Sequence, residues 1–196
     1  MEYNMNHNYF ITQKLIGTTA EIAVRECIKA QYPTIGLKHA VPTLTPHATH
    51  DIEINDIDRF TVEVKSARNG GKFPNLFAEI IQYPSCGYAE YLVHIPDYIV
   101  YVDIDSDVHY WYDGQMFAQA VKRRFDLRKD IAHGTASGIT FPKDSIDFGF
   151  ICAYRATGPH TMDMIKKYHA QEIKDIQPLK QSAPVYKSCT GLPTLK

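Results

Sequence analysis

Asp51-Ile-Glu-Ile-Asn-Asp-Ile-Asp-Arg-Phe-Thr-Val-Glu-Val-Lys65 is the stretch from which the fold is read. Its two arms, 51–55 and 59–65, alternate polar and apolar residues, and the turn formers Asn55-Asp56-Ile57-Asp58 separate them, as in a β-hairpin. A period of two puts Ile52, Ile54, Phe60, Val62 and Val64 on the core face. Asp51, Glu53, Thr61, Glu63 and Lys65 share the other face. A turn centred on Ile57 sets Asp51 directly opposite Glu63, with Cβ atoms about 5 Å apart. Two carboxylates at that spacing repel unless a cation lies between them or one keeps a proton. Hard oxygen donors so placed suit Mg²⁺ or Mn²⁺. Lys65, two residues beyond Glu63, would hold an ammonium one step from such an ion, where it orients or activates a water or steadies charge on a phosphate.

Outward from the hairpin, the spacing of Ile16, Ala20, Val24 and Ile28 predicts a helix over 16–31. Thr18 and Glu21 form a capping box at its start, and Tyr32-Pro33 ends it. The stretch 35–45, with Pro42 inside it, reads as an edge or irregular strand. After Lys65 comes the glycine-rich loop 66–72, then a short helix over 75–82 that Pro84 cuts off. Residues 97–103 and 108–112 form a second hairpin. The stretch 114–124 reads as a helix with Met116, Phe117, Ala120 and Val121 inward and Lys122, Arg123 and Arg124 at its C-terminal end, where cations suit the macrodipole. A weaker helical pattern covers 161–173, and the proline-bearing stretch 177–196 reads as a loosely held tail. The expected organisation is a single domain over 1–176, with its core at about 17–112, followed by that tail.

Composition bounds the class. Of 196 residues 44% are hydrophobic and 22% charged, and 21 Lys and Arg stand against 22 Asp and Glu for a net charge of -1. That is a globular composition long enough for a sizeable core without staples. No apolar run approaches the roughly 20 residues of a membrane span, and the first residues lack the charged and apolar regions of a signal peptide. A cytoplasmic protein without membrane contact is the expectation. Cys27, Cys86, Cys152 and Cys189 make no C-x-x-C pair and read as reduced thiols. Neutral overall charge excludes a wholly basic coat but leaves room for a local basic face.

Asp51, eleven residues and then Glu63-Val64-Lys65, preceded by a helix carrying Glu21, resembles the PD-(D/E)XK nuclease superfamily. The resemblance spans 17 to about 103. It implies an α/β fold of the restriction endonuclease-like type, an α-β-β-β-α-β core with a mixed central sheet flanked by helices. It further implies a Mg²⁺-dependent endodeoxyribonuclease in which Asp51 and Glu63 bind the metal, the Val64 carbonyl is a third ligand and Lys65 is the catalytic lysine. Glu21 would be the acidic residue on the first helix near the metal. Mn²⁺ would substitute for Mg²⁺. His50 stands where the family pattern has Pro. Such a fold also exists in catalytically silent proteins that bind nucleic acid or a protein partner, so both readings stay open here.

A DNA partner requires cations. Arg68 and Lys72 in the glycine-rich loop, and Arg123 and Arg124 in the basic run 122–129, are the candidates for phosphate contact. Cutting both strands of a duplex calls for two sites, so a homodimer is expected. Other motifs carry less. Glu53 lies a full pleat from Asp51 and reads as a bystander. His39, His47 and His50 lack regular zinc spacing. Asp103, Asp105 and Asp107 imitate a calcium loop, but Val108 occupies its glycine position, so they read as a hairpin turn. Gln82 falls where some branches of the family carry a glutamine.

Overall fold

The structure, a computed structural model, describes residues 7–31, 36–39, 50–55, 59–67, 74–82, 87–130 and 136–155. The alternating stretch folds as read: β2 (Ile52–Asn55) and β3 (Arg59–Ala67) pair antiparallel with Ile52 opposite Val62 and Glu53 opposite Thr61. Before them lie α1 (His7–Gln31) and β1 (Gly36–His39), and β1 is the edge strand beyond β2. After them come β4 (Asn75–Gln82), β5 (Gly87–Tyr88), a one-turn helix α2 (Glu90–Val93), β6 (Tyr98–Asp103), β7 (Val108–Asp113) and α3 (Gly114–Arg123). β8 (Lys129–Asp130), β9 (Ala136–Pro142) and β10 (Phe150–Arg155) complete the described chain.

Six strands form one mixed sheet in the order β1-β2-β3-β6-β7-β10, with β3 and β6 parallel and the other neighbours antiparallel. Through β6 the succession is α-β-β-β-α-β, the expected mixed α/β fold, with β4 and β5 interposed between β3 and α2. Those two strands belong to a second sheet, β5-β4-β9-β8. One face of the large sheet packs on α1, where Ile16, Ala20, Val24 and Ile28 meet Val62, Val64, Val100 and Val102. On the other face Ile99, Tyr101 and Tyr112 join Phe117 of α3 and Leu76, Ala78, Ile139 and Phe141 of the second sheet. Full burial of such side chains contributes about 1.5–3 kcal/mol each.

Three expectations are corrected. The first helix begins nine residues earlier than Ile16, so Thr18 and Glu21 lie inside it rather than at its cap. The buried Leu15 extends the apolar stripe, and the Thr19 hydroxyl donates to the Leu15 carbonyl at 2.7 Å. Residues 75–82 form a strand, not a helix. Their burial alternates through Leu76, Ala78 and Ile80, and seven residues of β9 pair with them. Such a short apolar run is ambiguous until its distant partner is known. In α3, Met116 is 45% exposed and Ala118 is buried in its place. The Asp113 side chain caps this helix by accepting from the Met116 N–H at 2.8 Å.

The second hairpin, β6–β7, and α3 form where the pattern puts them. The turn between β6 and β7 carries Asp107 at φ 56°, a left-handed position that Asp tolerates. Asp103 is fully buried and pairs with Lys143 at 3.1 Å, tying β6 to the end of β9. Cys27 is buried and Cys152 exposed, both unbridged. No helix among the described residues is long and apolar enough to cross a membrane. Most of the glycine-rich loop, the 161–173 pattern and the 177–196 stretch lie outside the described residues.

Candidate active site

Asp51 enters β2 one residue before the ladder with β3 begins, so the register that pairs Ile52 with Val62 sets Asp51 against Glu63. The Val64 N–H donates to Asp51 Oδ2 at 2.7 Å and fastens the two strands at this point. Val64 itself turns its side chain into the core against α1. Glu63 is buried, and the Lys65 ammonium lies 2.6 Å from Glu63 Oε1. Glu21, also buried, enters from α1.

The electrostatics join these groups. Burial, with Asp51 and Glu63 adding their repulsion, pushes the Glu21 carboxyl from its ordinary value up to about 8. Asp51 rises to about 7, first through burial and then through Glu63, against the pull of the Val64 N–H and Lys65. Desolvation works against the Lys65 ammonium, but Glu63, Asp51 and Glu79 outweigh it and hold its pKa above the ordinary lysine value. Lys65 is therefore a permanent cation near neutral pH and a poor proton acceptor. His50, next to Asp51, is held below the usual histidine range, chiefly by burial, while Glu63 acts in the opposite sense.

Three mutually repelling carboxyls and one ammonium leave negative charge in excess once the acids ionise, which fits a hard divalent cation. Among the described residues no group of three or more His, Cys, Asp or Glu side chains is assembled closely enough to cage a metal. Mg²⁺ does not need such a cage. It is commonly bound through one or two carboxylates and keeps water or substrate oxygens in its other positions. Asp51 and Glu63 are two carboxyls that could serve an ion bound in that open way.

The sequence reading brings Asp51, Glu63, Lys65 and Glu21 to one place but misses the wall behind Lys65. The ammonium sits 5.4 Å from the centre of the buried Tyr91 ring. The Tyr91 hydroxyl donates to the Glu79 carbonyl, and the Tyr101 hydroxyl donates to the Phe77 carbonyl at 3.0 Å, so both tyrosines pin β4 beside the site. Gln82 is on that strand, its amide donating to Glu79 Oε2 at 3.1 Å. Read with a period of two, residues 75–82 would have set Glu79 beside Phe77 on one face.

Of the candidate phosphate contacts, Arg123 and Arg124 are among the described residues. Arg68 and Lys72 lie outside the described residues, as does His47. Arg123 is exposed at the end of α3. Arg124 is engaged locally: it reaches Asp147 at 3.2 Å and the Ala120 carbonyl at 3.3 Å, with its guanidinium 4.9 Å from the Phe148 ring centre.

No protein-family model matches the chain, and neither does any curated protein. Among solved structures it is similar to a bacterial homing endonuclease, I-Ssp6803I, at 16% identity and a TM-score of 0.39, over 82% of this chain and 96% of that one. A likeness at that level assigns no residue. The geometry of the site has to carry the reading.

Proposed function

We propose that this protein is a metal-dependent endonuclease of the PD-(D/E)XK kind that hydrolyses phosphodiester bonds in DNA. The carrying observation is the constellation on β3: Glu63 opposite Asp51, with the Lys65 ammonium 2.6 Å from the Glu63 carboxylate. Asp51 and Glu63 would hold Mg²⁺ with the Val64 carbonyl, and Mn²⁺ would fit the same oxygens. The bound ion would polarise the scissile phosphate and make a water more acidic. Lys65, protonated and backed by Tyr91, donates N–H groups that orient a water or a phosphate oxygen. Glu21 faces the same centre from α1 and keeps its proton up to about pH 8 in the metal-free protein. Arg68, Lys72, Arg123 and Arg124 remain the proposed phosphate contacts, and a homodimer would supply two centres for a double-strand cut.

Incubation with Mg²⁺ and a panel of supercoiled plasmid, linear duplex, branched and single-stranded DNA tests this reading. Wild type should cut at least one member, while Asp51→Ala and Lys65→Ala should lose at least two orders of magnitude in rate, the scale of a lost metal ligand or transition-state donor. No cutting by wild type would leave a nucleic-acid- or protein-binding protein built on the same fold. Variants that cut as fast as wild type would remove the site.

A further inference from the structure

We infer that Tyr91 is the positioning residue for Lys65: the face of its ring keeps the ammonium in the site once Glu63 is committed to a metal ion. This rests on the nuclease reading and adds the part that holds its cation. Lys65 and Glu63 leave β3 on one face, two residues apart, and the ammonium lies 2.6 Å from Glu63 Oε1. Glu63 cannot serve that ammonium and a divalent ion equally, because two cations on one buried carboxylate compete for it and repel each other. A lysine that depended on Glu63 alone would be driven out as the metal site filled.

The aromatic face stays out of that competition. Lys65 Nζ lies over the Tyr91 ring, 5.4 Å from its centre, where the ring quadrupole attracts an ammonium. Mg²⁺ and Mn²⁺ take oxygen donors, so this partner remains with the lysine. Tyr91 offers Lys65 its ring and not its oxygen. Burial raises the phenol well above the ordinary tyrosine value and keeps it protonated, and the hydroxyl donates to the Glu79 carbonyl.

The surrounding fold fixes the ring. Tyr91 is fully buried and meets Phe117 of α3 edge-to-face, with centroids 5.8 Å apart and the planes at 70°. Its one-turn helix is tied to β4 by the Ala89 N–H, which donates to the Ile80 carbonyl at 2.8 Å, and is closed by the His94 N–H on the Glu90 carbonyl at 2.8 Å. Tyr101, the register partner of Lys65 on β6, donates to the Phe77 carbonyl at 3.0 Å and holds the same strand. A platform already fixed costs little further ordering when the ammonium settles on it. Held there by its charge, the ammonium keeps N–H donors for water and phosphate oxygens.

Changing the electrons of the ring without emptying its place tests this. Wild type would be compared with Tyr91→Phe, with Tyr91→Phe carrying fluorines on that ring, and with Tyr91→Leu. Tyr91→Phe loses the hydrogen bond to the Glu79 carbonyl and should melt lower while keeping most of kcat. The fluorinated ring, its quadrupole withdrawn, should cut roughly three- to tenfold more slowly than Tyr91→Phe, and Tyr91→Leu roughly ten- to thirtyfold more slowly, each in kcat with KM unchanged. A fluorinated ring that cuts as fast as Tyr91→Phe would overturn the inference. A second readout needs neither metal nor cleavage. The ε-methylene proton resonance of Lys65, assigned by its absence from Lys65→Met, should lie upfield of the other lysines through the ring current. It should stay there in Glu63→Gln and return to the ordinary lysine position in Tyr91→Leu. No upfield shift in wild type, or its loss in Glu63→Gln, would overturn the inference. If wild type cuts no DNA, the nuclease reading fails, and the resonances alone decide whether Tyr91 holds Lys65.

Discussion

Raising the pH from 5 to 8 should destabilise the metal-free protein, and the size of the loss follows from the acids around Asp51. In the unfolded chain Glu21 and Asp51 ionise near 4.5 and 3.8, whereas in the folded protein they do so near 8 and 7. Folding therefore takes up protons between those values. The stability these groups lend is present below about pH 4 and is lost as the pH climbs through 7 and 8. Each group contributes at most about 1.4 kcal/mol per pH unit. Asp51 over the two units from 5 to 7 and Glu21 over the three from 5 to 8 set a ceiling of about 7 kcal/mol. Because both shifts include the same repulsion from Glu63, roughly half of that, about 3.5 kcal/mol, is the expected loss. For a chain of this size it corresponds to a fall of roughly 7–14 °C in Tm. Thermal melts followed by circular dichroism, in chelator, would measure it. Asp51→Asn removes one acid and relieves Glu21, so its profile should be flatter by at least half. Mg²⁺ or Mn²⁺ at pH 8 should restore Tm in wild type and do little in Asp51→Asn. A wild-type Tm that is level or rises between pH 5 and 8, or an identical profile in Asp51→Asn, would refute the reasoning.

Further predictions concern the frame that holds the site. Lys143→Met strands the fully buried Asp103 carboxylate and should cost about 3–5 kcal/mol in chemical denaturation, with Asp103→Asn/Lys143→Met recovering much of it. Gly138→Ala places a Cβ 2.1 Å from the Ala78 carbonyl oxygen. It should lower stability by at least ~1–3 kcal/mol and pull β9 away from β4, seen as faster amide exchange in both strands. Phe117→Ala, at the centre of the aromatic cluster with Tyr112 and Phe141, should cost about 3–5 kcal/mol by denaturant titration.

What the sequence discloses follows the range of the interactions involved. The β2–β3 hairpin and the β6–β7 hairpin are legible because each is closed by a short turn and shows a strict period of two. The opposition of Asp51 and Glu63 comes with that register at no further assumption. Glu21 is found on the right helix but for an incomplete reason, since a cap signature and a buried acid about four turns inside a longer helix look alike in the sequence. β4 is misread because Asn75–Gln82 becomes a strand only by pairing with β9, more than fifty residues away. Glu79 and Tyr91, which back Lys65, are missed with it. The separation of Arg124, bound to Asp147, from the exposed Arg123 and Lys129 is likewise invisible in a run of cations.

Crystals soaked in Mn²⁺ and measured at a wavelength where manganese scatters anomalously test the central claim most directly. A peak between the carboxylates of Asp51 and Glu63, absent from Asp51→Ala crystals, is the result this account predicts. Fully ordered side chains with no peak between them at millimolar Mn²⁺ and pH 8, above the pH at which Asp51 ionises, would contradict it.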